Sequence, residues 1–207
     1  MKRGIEKQIA FDGGDGRWPD GEKLAEAIVR CLKRAGRFDS AELYLDTRKC
    51  LLIPAEFFDP SRTKDYLSIN NIPTGEDEAV LDIPLTPGIV AVTIYPRPIL
   101  DTVRNILGED TAVNSPFAIN LSHPPTRDRL YLALYLTPGN AYITICGAEG
   151  MEYCEVLPYS GGADILYYIQ ELSAQYGLGE SAIYIRGEGG RRVAKLLKKY
   201  FRNTRCE

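Results

Sequence analysis

Apolar positions along the chain fall into two kinds of run, one recurring every three or four residues and one alternating or continuous over a short stretch. The first kind predicts helices. Leu24, Ala27, Ile28, Cys31, Leu32 and Ala35 share such a stripe, so a helix runs from about Pro19 to Ala35, bounded by Pro19 and Gly36. Further helices are expected around Ser61 to Ile69, packing Tyr66 and Ile69, and from Pro98 to Leu107. Ile165, Leu166, Ile169, Leu172 and Tyr176 mark a helix from about Gly162 to Tyr176. Val193, Leu196, Leu197, Tyr200 and Phe201 mark a last one from Arg191 to Asn203. The second kind of run predicts strands at Ile5–Phe11, Ala41–Leu45, Cys50–Ile53, Ala79–Leu85, Ile89–Tyr95 and near Thr111–Leu121. Asp46–Lys49 reads as the turn of a hairpin joining the second and third of these. Later strands are expected at Leu130–Leu136, Ala141–Cys146, Met151–Leu157 and Ala182–Ile185, the first three joined by tight turns.

The second half therefore reads β-β-β-α-β-α, which is the order of the ribonuclease-H-like unit. Actin-like ATPases place two such units side by side. The expectation is an α/β protein with mixed sheets and a duplicated actin-like ATPase or ribonuclease-H-like fold, its first half shortened. The first lobe, 1–122, would be an altered copy with a short first sheet; the second, 127–207, the fuller copy. Ser122-His123-Pro124-Pro125-Thr126 would link them, the prolines excluding ladder donors there.

Composition narrows the class. In 207 residues, 44% are hydrophobic and 26% charged, which fits a chain that buries a core. The net charge of -3 argues against a polyanion binder taken as a whole. No apolar stretch approaches the ~20 residues that span a bilayer, so no membrane partner is expected. Cys31, Cys50, Cys146, Cys154 and Cys206 are widely spaced without a C-x-x-C, which reads as free thiols in a reducing, cytoplasmic setting. His123 is the single histidine, so neither a histidine-rich metal site nor a Ser/His arrangement with a local partner is available.

Three segments carry a family resemblance. Leu51-Leu52-Ile53-Pro54-Ala55-Glu56-Phe57-Phe58-Asp59, the helix start Ala163-Asp164-Ile165-Leu166-Tyr167-Tyr168-Ile169, and the strand end Val92-Thr93-Ile94-Tyr95-Pro96 resemble a bacterial family of unknown function, domain-of-unknown-function family 3822. The resemblance covers roughly Phe38 to Asn203. It implies a fold like that of actin-like ATPases, with no assigned activity. The stretch from Asp12 to Asp20 departs from the family by being too short for its usual second and third strands.

Candidate chemistry follows from the fold analogy. Asp12-Gly13-Gly14-Asp15-Gly16 follows an apolar run, where an actin-like ATPase has an Asp-x-Gly phosphate loop. The bland alternative is a Gly/Asp turn. The matching loop of the second half, Thr137-Pro138-Gly139-Asn140, has an amide where a carboxylate would hold hydrated magnesium. Gly187-Glu188-Gly189-Gly190-Arg191-Arg192 joins a strand to a helix, a natural anion or nucleotide site, or else a plain turn with solvated arginines. Gly187, Gly189, Gly190, Arg191, Arg192 and Asp12 are thus the nucleotide candidates, and ATP with magnesium the cofactor they would take. Arg191, Arg192, Lys195, Lys198, Lys199, Arg202 and Arg205 crowd the C-terminal segment, a surface for phosphate backbones or a solvated face; Tyr200 and Phe201 are assigned to the apolar stripe and not to that surface. The acidic residues Asp12, Asp15, Asp20 and Glu22 lie near one another in sequence, whereas the second-half strands bring no carboxylate for a two-metal nuclease. The reading is an actin-like fold without a complete catalytic set, used for binding a protein partner or itself. Weak nucleotide binding or hydrolysis is one alternative, and association with RNA through the C-terminal helix another.

Overall fold

The structure is a computed structural model, and it describes residues 18–35, 42–85, 88–122, 130–148 and 150–207. The strand expected at Ile5–Phe11, the Asp12 loop and His123 lie outside the described residues.

The molecule is mixed α/β, with three sheets among the described residues. Helix α1 (Gly21–Ala35) buries Leu24 and Ile28, as its periodicity predicts. Strand β1 (Glu42–Tyr44) follows, then β2 (Cys50–Pro54), α2 (Thr63–Ile69), β3 (Glu78–Leu85), β4 (Ile89–Pro96), α3 (Arg97–Leu107), β5 (Ala112–Asn114) and α4 (Phe117–Ser122). The second half contains β6 (Tyr131–Thr137), β7 (Asn140–Gly147), β8 (Gly150–Pro158), α5 (Gly162–Tyr176), β9 (Ala182–Gly187), α6 (Gly190–Leu197) and β10 (Thr204–Cys206).

Four expectations are corrected. β1 and β2 do not form a hairpin: β1 pairs in parallel with β5, and β2 pairs antiparallel with β4. The segment read as one strand at Thr111–Leu121 is strand β5 followed by helix α4. Ser115 and Pro116 break the ladder, and the Ser115 hydroxyl accepts from the Phe117 amide at 3.4 Å. In α2 the buried side chain is Leu67, while Ile69 stands 73% exposed. The last helix ends at Leu197, and the chain returns as a strand, β10, beside β9.

The five-stranded sheet, in the order β10-β9-β6-β7-β8, organises the core. Leu132, Leu134, Leu136, Ile143, Ile145, Ile183 and Ile185 point to one face, covered by α5 through Ile165, Ile169 and Leu172 and by α6 through Val193 and Leu197. Tyr131, Ala133, Tyr135, Tyr142 and Tyr184 point to the other, where Leu24, Tyr95, Leu100, Val103 and Phe117 of the first half meet them. Burial on both faces is why β6 and β7 read as continuous apolar runs and not as alternating ones. Asn120 of α4 locks this contact: its Nδ2 donates to the carbonyls of Ala133 and Tyr142, at 3.3 and 3.0 Å. The smaller sheet, β2-β4-β3, shares Ala91 and Tyr95 with that core and lays Val92 and Ile94 against Leu67 of α2.

The five cysteines are free thiols. Burial pushes the Cys50 thiol up to about 12 and raises Cys154 and Cys146 as well, whereas Cys206 is exposed. A thiolate is the reactive species. An aromatic disulfide reagent at mildly alkaline pH is therefore expected to label Cys206 first and to spare Cys50, Cys146 and Cys154 until the protein is denatured. Peptide mass spectrometry reads this directly, and early label on Cys154 would contradict the packing.

Candidate functional site

The site is assembled around the tip of the β6–β7 hairpin. Thr137 and Asn140 flank a two-residue turn, with Pro138 first and Gly139 second at φ +83°. Proline fixes the φ that the first turn position needs, and glycine tolerates the positive φ of the second. The turn presents the Thr137 hydroxyl and the Asn140 amide on one side.

Both donors are taken by a carboxylate from the first half. Asp46 accepts from Thr137 Oγ1 at 2.6 Å and from Asn140 Nδ2 at 3.0 and 3.1 Å. Tyr142 Oη also donates to Asp46, at 2.5 Å, and accepts from the Thr47 amide at 2.8 Å. Burial, and then the Asp46 charge, hold the Tyr142 phenol well above its usual range, so it stays a donor. Tyr159 closes the far side, its amide donating to the Gly139 carbonyl and its hydroxyl to the Thr137 carbonyl. Burial raises the Tyr159 phenol too, and the charges of Glu188 and Asp46 act in the same direction.

The glycine-rich turn is brought to the same place. β6 and β9 pair in parallel with Leu136 opposite Gly187, and the Glu188 amide donates to the Leu136 carbonyl at 2.9 Å. Gly187 sits at φ +88° and Gly189 at φ +71° as the residue before α6. Gly190 is buried, with Ile185 3.4 Å from where a Cβ would stand. The Val193 amide makes the first regular turn bond of α6 to the Gly189 carbonyl, at 3.2 Å, and the Arg192 amide, one of the donors of the expected anion cradle, goes to the same carbonyl at 2.9 Å. Arg191 and Arg192 are exposed. Of the sequence candidates, the structure thus joins Thr137, Asn140 and the Gly187 turn. Asp12 lies outside the described residues.

Sequence reasoning missed Asp46, which reads as part of a turn. Its side-chain partners lie 91 to 96 positions away, and no local spacing announces them. The arrangement can do one thing plainly. A carboxylate satisfies the donors that a phosphate oxygen would need at this hairpin, and Glu188 adds further negative charge beside it. Among the described residues no group of three histidine, cysteine or acidic side chains stands together as metal ligands. Among them, too, no helix is long and apolar enough to cross a membrane.

Known structures place the fold. A protein of Bacteroides thetaiotaomicron, described as having an actin-like ATPase fold and unknown function, superposes with a TM-score of 0.71 at 12% identity, covering 90% of this chain and 76% of its own. A chain of a PilM–PilN type IV pilus biogenesis complex superposes at 0.56 with 18% identity, covering 89% of this chain and 74% of its own. At these identities the likeness shows the fold alone, and the fold is that of the actin-like ATPases. The chain belongs to the family described as "Protein of unknown function (DUF3822)", whose model matches residues 24–204. Among curated proteins none matches the sequence significantly.

Proposed function

We propose that this chain is a binding module of the actin-like fold that does not turn over nucleotide. The observation that carries the reading is the Asp46 carboxylate seated on Thr137, Asn140 and Tyr142. In a nucleotide hydrolase this hairpin would offer donors to phosphate and a carboxylate to hydrated magnesium. Here the donors are already satisfied, and the neutral Asn140 takes the place of that carboxylate. A competing phosphate would have to displace a charge-assisted contact and sit near Glu188.

The partner we favour is a protein, either another chain or a second copy. A structural neighbour comes from a two-protein complex of pilus biogenesis. On this chain, Phe57 and Ile69 are 69% and 73% exposed on the unit built from β2, β3, β4 and α2. Phe57 precedes Phe58 in the chain and Ile69 follows Tyr66 by about one turn of α2, and the rings of Phe58 and Tyr66 pair with centroids 6.0 Å apart. Exposed apolar surface is a common mark of an interaction site. Five free thiols suit a reducing compartment, and we place the protein in the cytoplasm on that ground.

Thermal melting with and without millimolar Mg-ATP, Mg-ADP and Mg-GTP tests the reading. Ligand at about 100 times its dissociation constant stabilises by about 2.7 kcal/mol. For a chain of this size that raises the melting temperature by roughly 5–10 °C. No shift is expected. A clear shift with ATP would overturn the reading in favour of a nucleotide held at the Gly187–Gly190 turn, and phosphate release that disappears in Arg191→Ala would establish turnover. Light scattering across concentrations tests the self-association arm, which a strictly monomeric protein excludes.

A further inference from the structure

Helix α6 divides sharply by chemistry. Gly190, Val193, Ala194 and Leu197 are buried against the five-stranded sheet. Arg191, Arg192 and Lys195 are exposed, and Lys198 and Lys199 continue the exposed side into the turn that follows. That turn keeps helix-like bonding, with the Lys198 amide donating to the Ala194 carbonyl and the Phe201 amide to that of Leu197. At about 100° per residue, the five cations fall within an arc of about 120°. Arg191, Lys195 and Lys198 step along it by four and three positions, neighbours on a helical surface, and the exposed Arg202 follows beyond the turn.

No aspartate or glutamate occurs between Gly189 and Cys206, which holds seven of the 25 basic residues and leaves 18 against 28 acidic ones elsewhere. The net charge of -3 therefore conceals a segregated, strongly positive segment. Among the described residues none of the five cations makes an ion pair. Arg205 stands apart: its guanidinium lies over the Tyr184 ring, 5.7 Å from the centroid, on the sheet face away from α6. The structure also corrects the assignment of Tyr200. It does not join the apolar stripe with Phe201 but is 57% exposed beside Lys199.

Partner classes differ in what they need. A protein interface has an apolar core depleted of charge, with aromatic or aliphatic anchors. The α6 face offers cations, with Tyr200 exposed in the turn that follows the helix. An amphipathic membrane helix needs a free apolar side, and here Val193, Ala194 and Leu197 are committed to the core. A nucleic-acid backbone needs only a row of cations, and an exposed ring adds a place for a base to stack. We propose that this face of α6 binds the phosphate backbone of a nucleic acid.

Fluorescence anisotropy of a labelled oligouridylate, titrated with the full chain over a range of salt, tests this. Four phosphate contacts predict that log K falls against log salt with a slope of about −3. The triple variant Arg191→Glu/Lys195→Glu/Lys198→Glu is expected to bind at least about tenfold more weakly and to flatten that slope by about 2. These side chains are exposed, so its melting curve should match the parent's. The variant Lys23→Glu/Arg30→Glu/Lys33→Glu makes the same charge change on α1 and should leave binding nearly unchanged. Salt-insensitive binding, equal losses in the two triple variants, or tighter binding to polyglutamate or phosphatidylserine vesicles than to the oligouridylate would each overturn the proposal.

Discussion

Gly187→Ala is expected to lower the melting temperature by about 10 °C, although the residue lies on the surface. Two independent costs meet there. The backbone is at φ +88°, where a residue with a Cβ carries about 1–2 kcal/mol of strain. A Cβ built at this position also stands 2.1 Å from the Leu136 carbonyl oxygen and 2.8 Å from the Leu136 nitrogen. Those atoms are sheet backbone and cannot rotate away. The β6–β9 ladder must open locally, and with it the bond from the Glu188 amide to the Leu136 carbonyl. Displacing packed backbone adds about 1–3 kcal/mol. Gly189→Ala makes the comparison informative, because its φ is also positive, at +71°, but nothing lies within 4 Å of its added Cβ. It should show the strain cost alone and melt only a few degrees below the parent. Equal melting temperatures for the two variants would refute the close approach at Gly187.

What could be read from the sequence follows from where each signal resides. The β6–β7–β8 meander and α5 are legible because their apolar runs, tight turns and boundary glycines are all local. The end of α6 misleads because Tyr200 and Phe201 prolong the helical spacing past Leu197. Only Phe201 returns to the core, while the chain turns to build β10. β10 itself is three residues long and is defined by its parallel pairing with Ile183, Tyr184 and Ile185, which no pattern within Thr204–Cys206 encodes. The supposed hairpin at Asp46–Lys49 fails for the same reason. Its residues have good turn chemistry, but β1 is claimed by β5 and β2 by β4, both distant in sequence. The candidate site divides in the same way. Thr137, Gly139, Asn140 and Gly187 stand out as turn residues at strand ends. Asp46 does not, because its role is written in contacts between halves of the chain.

Asp46→Ala is the complementary test of those contacts. The carboxylate accepts three side-chain donors from the second half: Thr137, Asn140 and Tyr142. Hydrogen bonds to a charged group contribute about 1.5–3 kcal/mol each, and those sharing one acceptor do not add. A net loss of about 3 kcal/mol is expected, equivalent to a fall of roughly 6–12 °C in melting temperature. Part of that loss is the cost of leaving the buried Tyr142 hydroxyl with fewer partners. Asp46→Asn should be intermediate, because its amide nitrogen would face the Asn140 amide donor to donor. Adding Asn140→Asp to that variant reverses the pair and gives the new amide at position 46 a carboxylate to donate to. The double variant should therefore be more stable than the sum of the two single changes predicts, by about 1 kcal/mol or more. Asn140→Asp alone places two carboxylates face to face and should be the least stable of the three. If the singles and the double are simply additive, Asp46 does not clasp the hairpin, and the reading of this site as one already filled by the protein's own carboxylate fails with it.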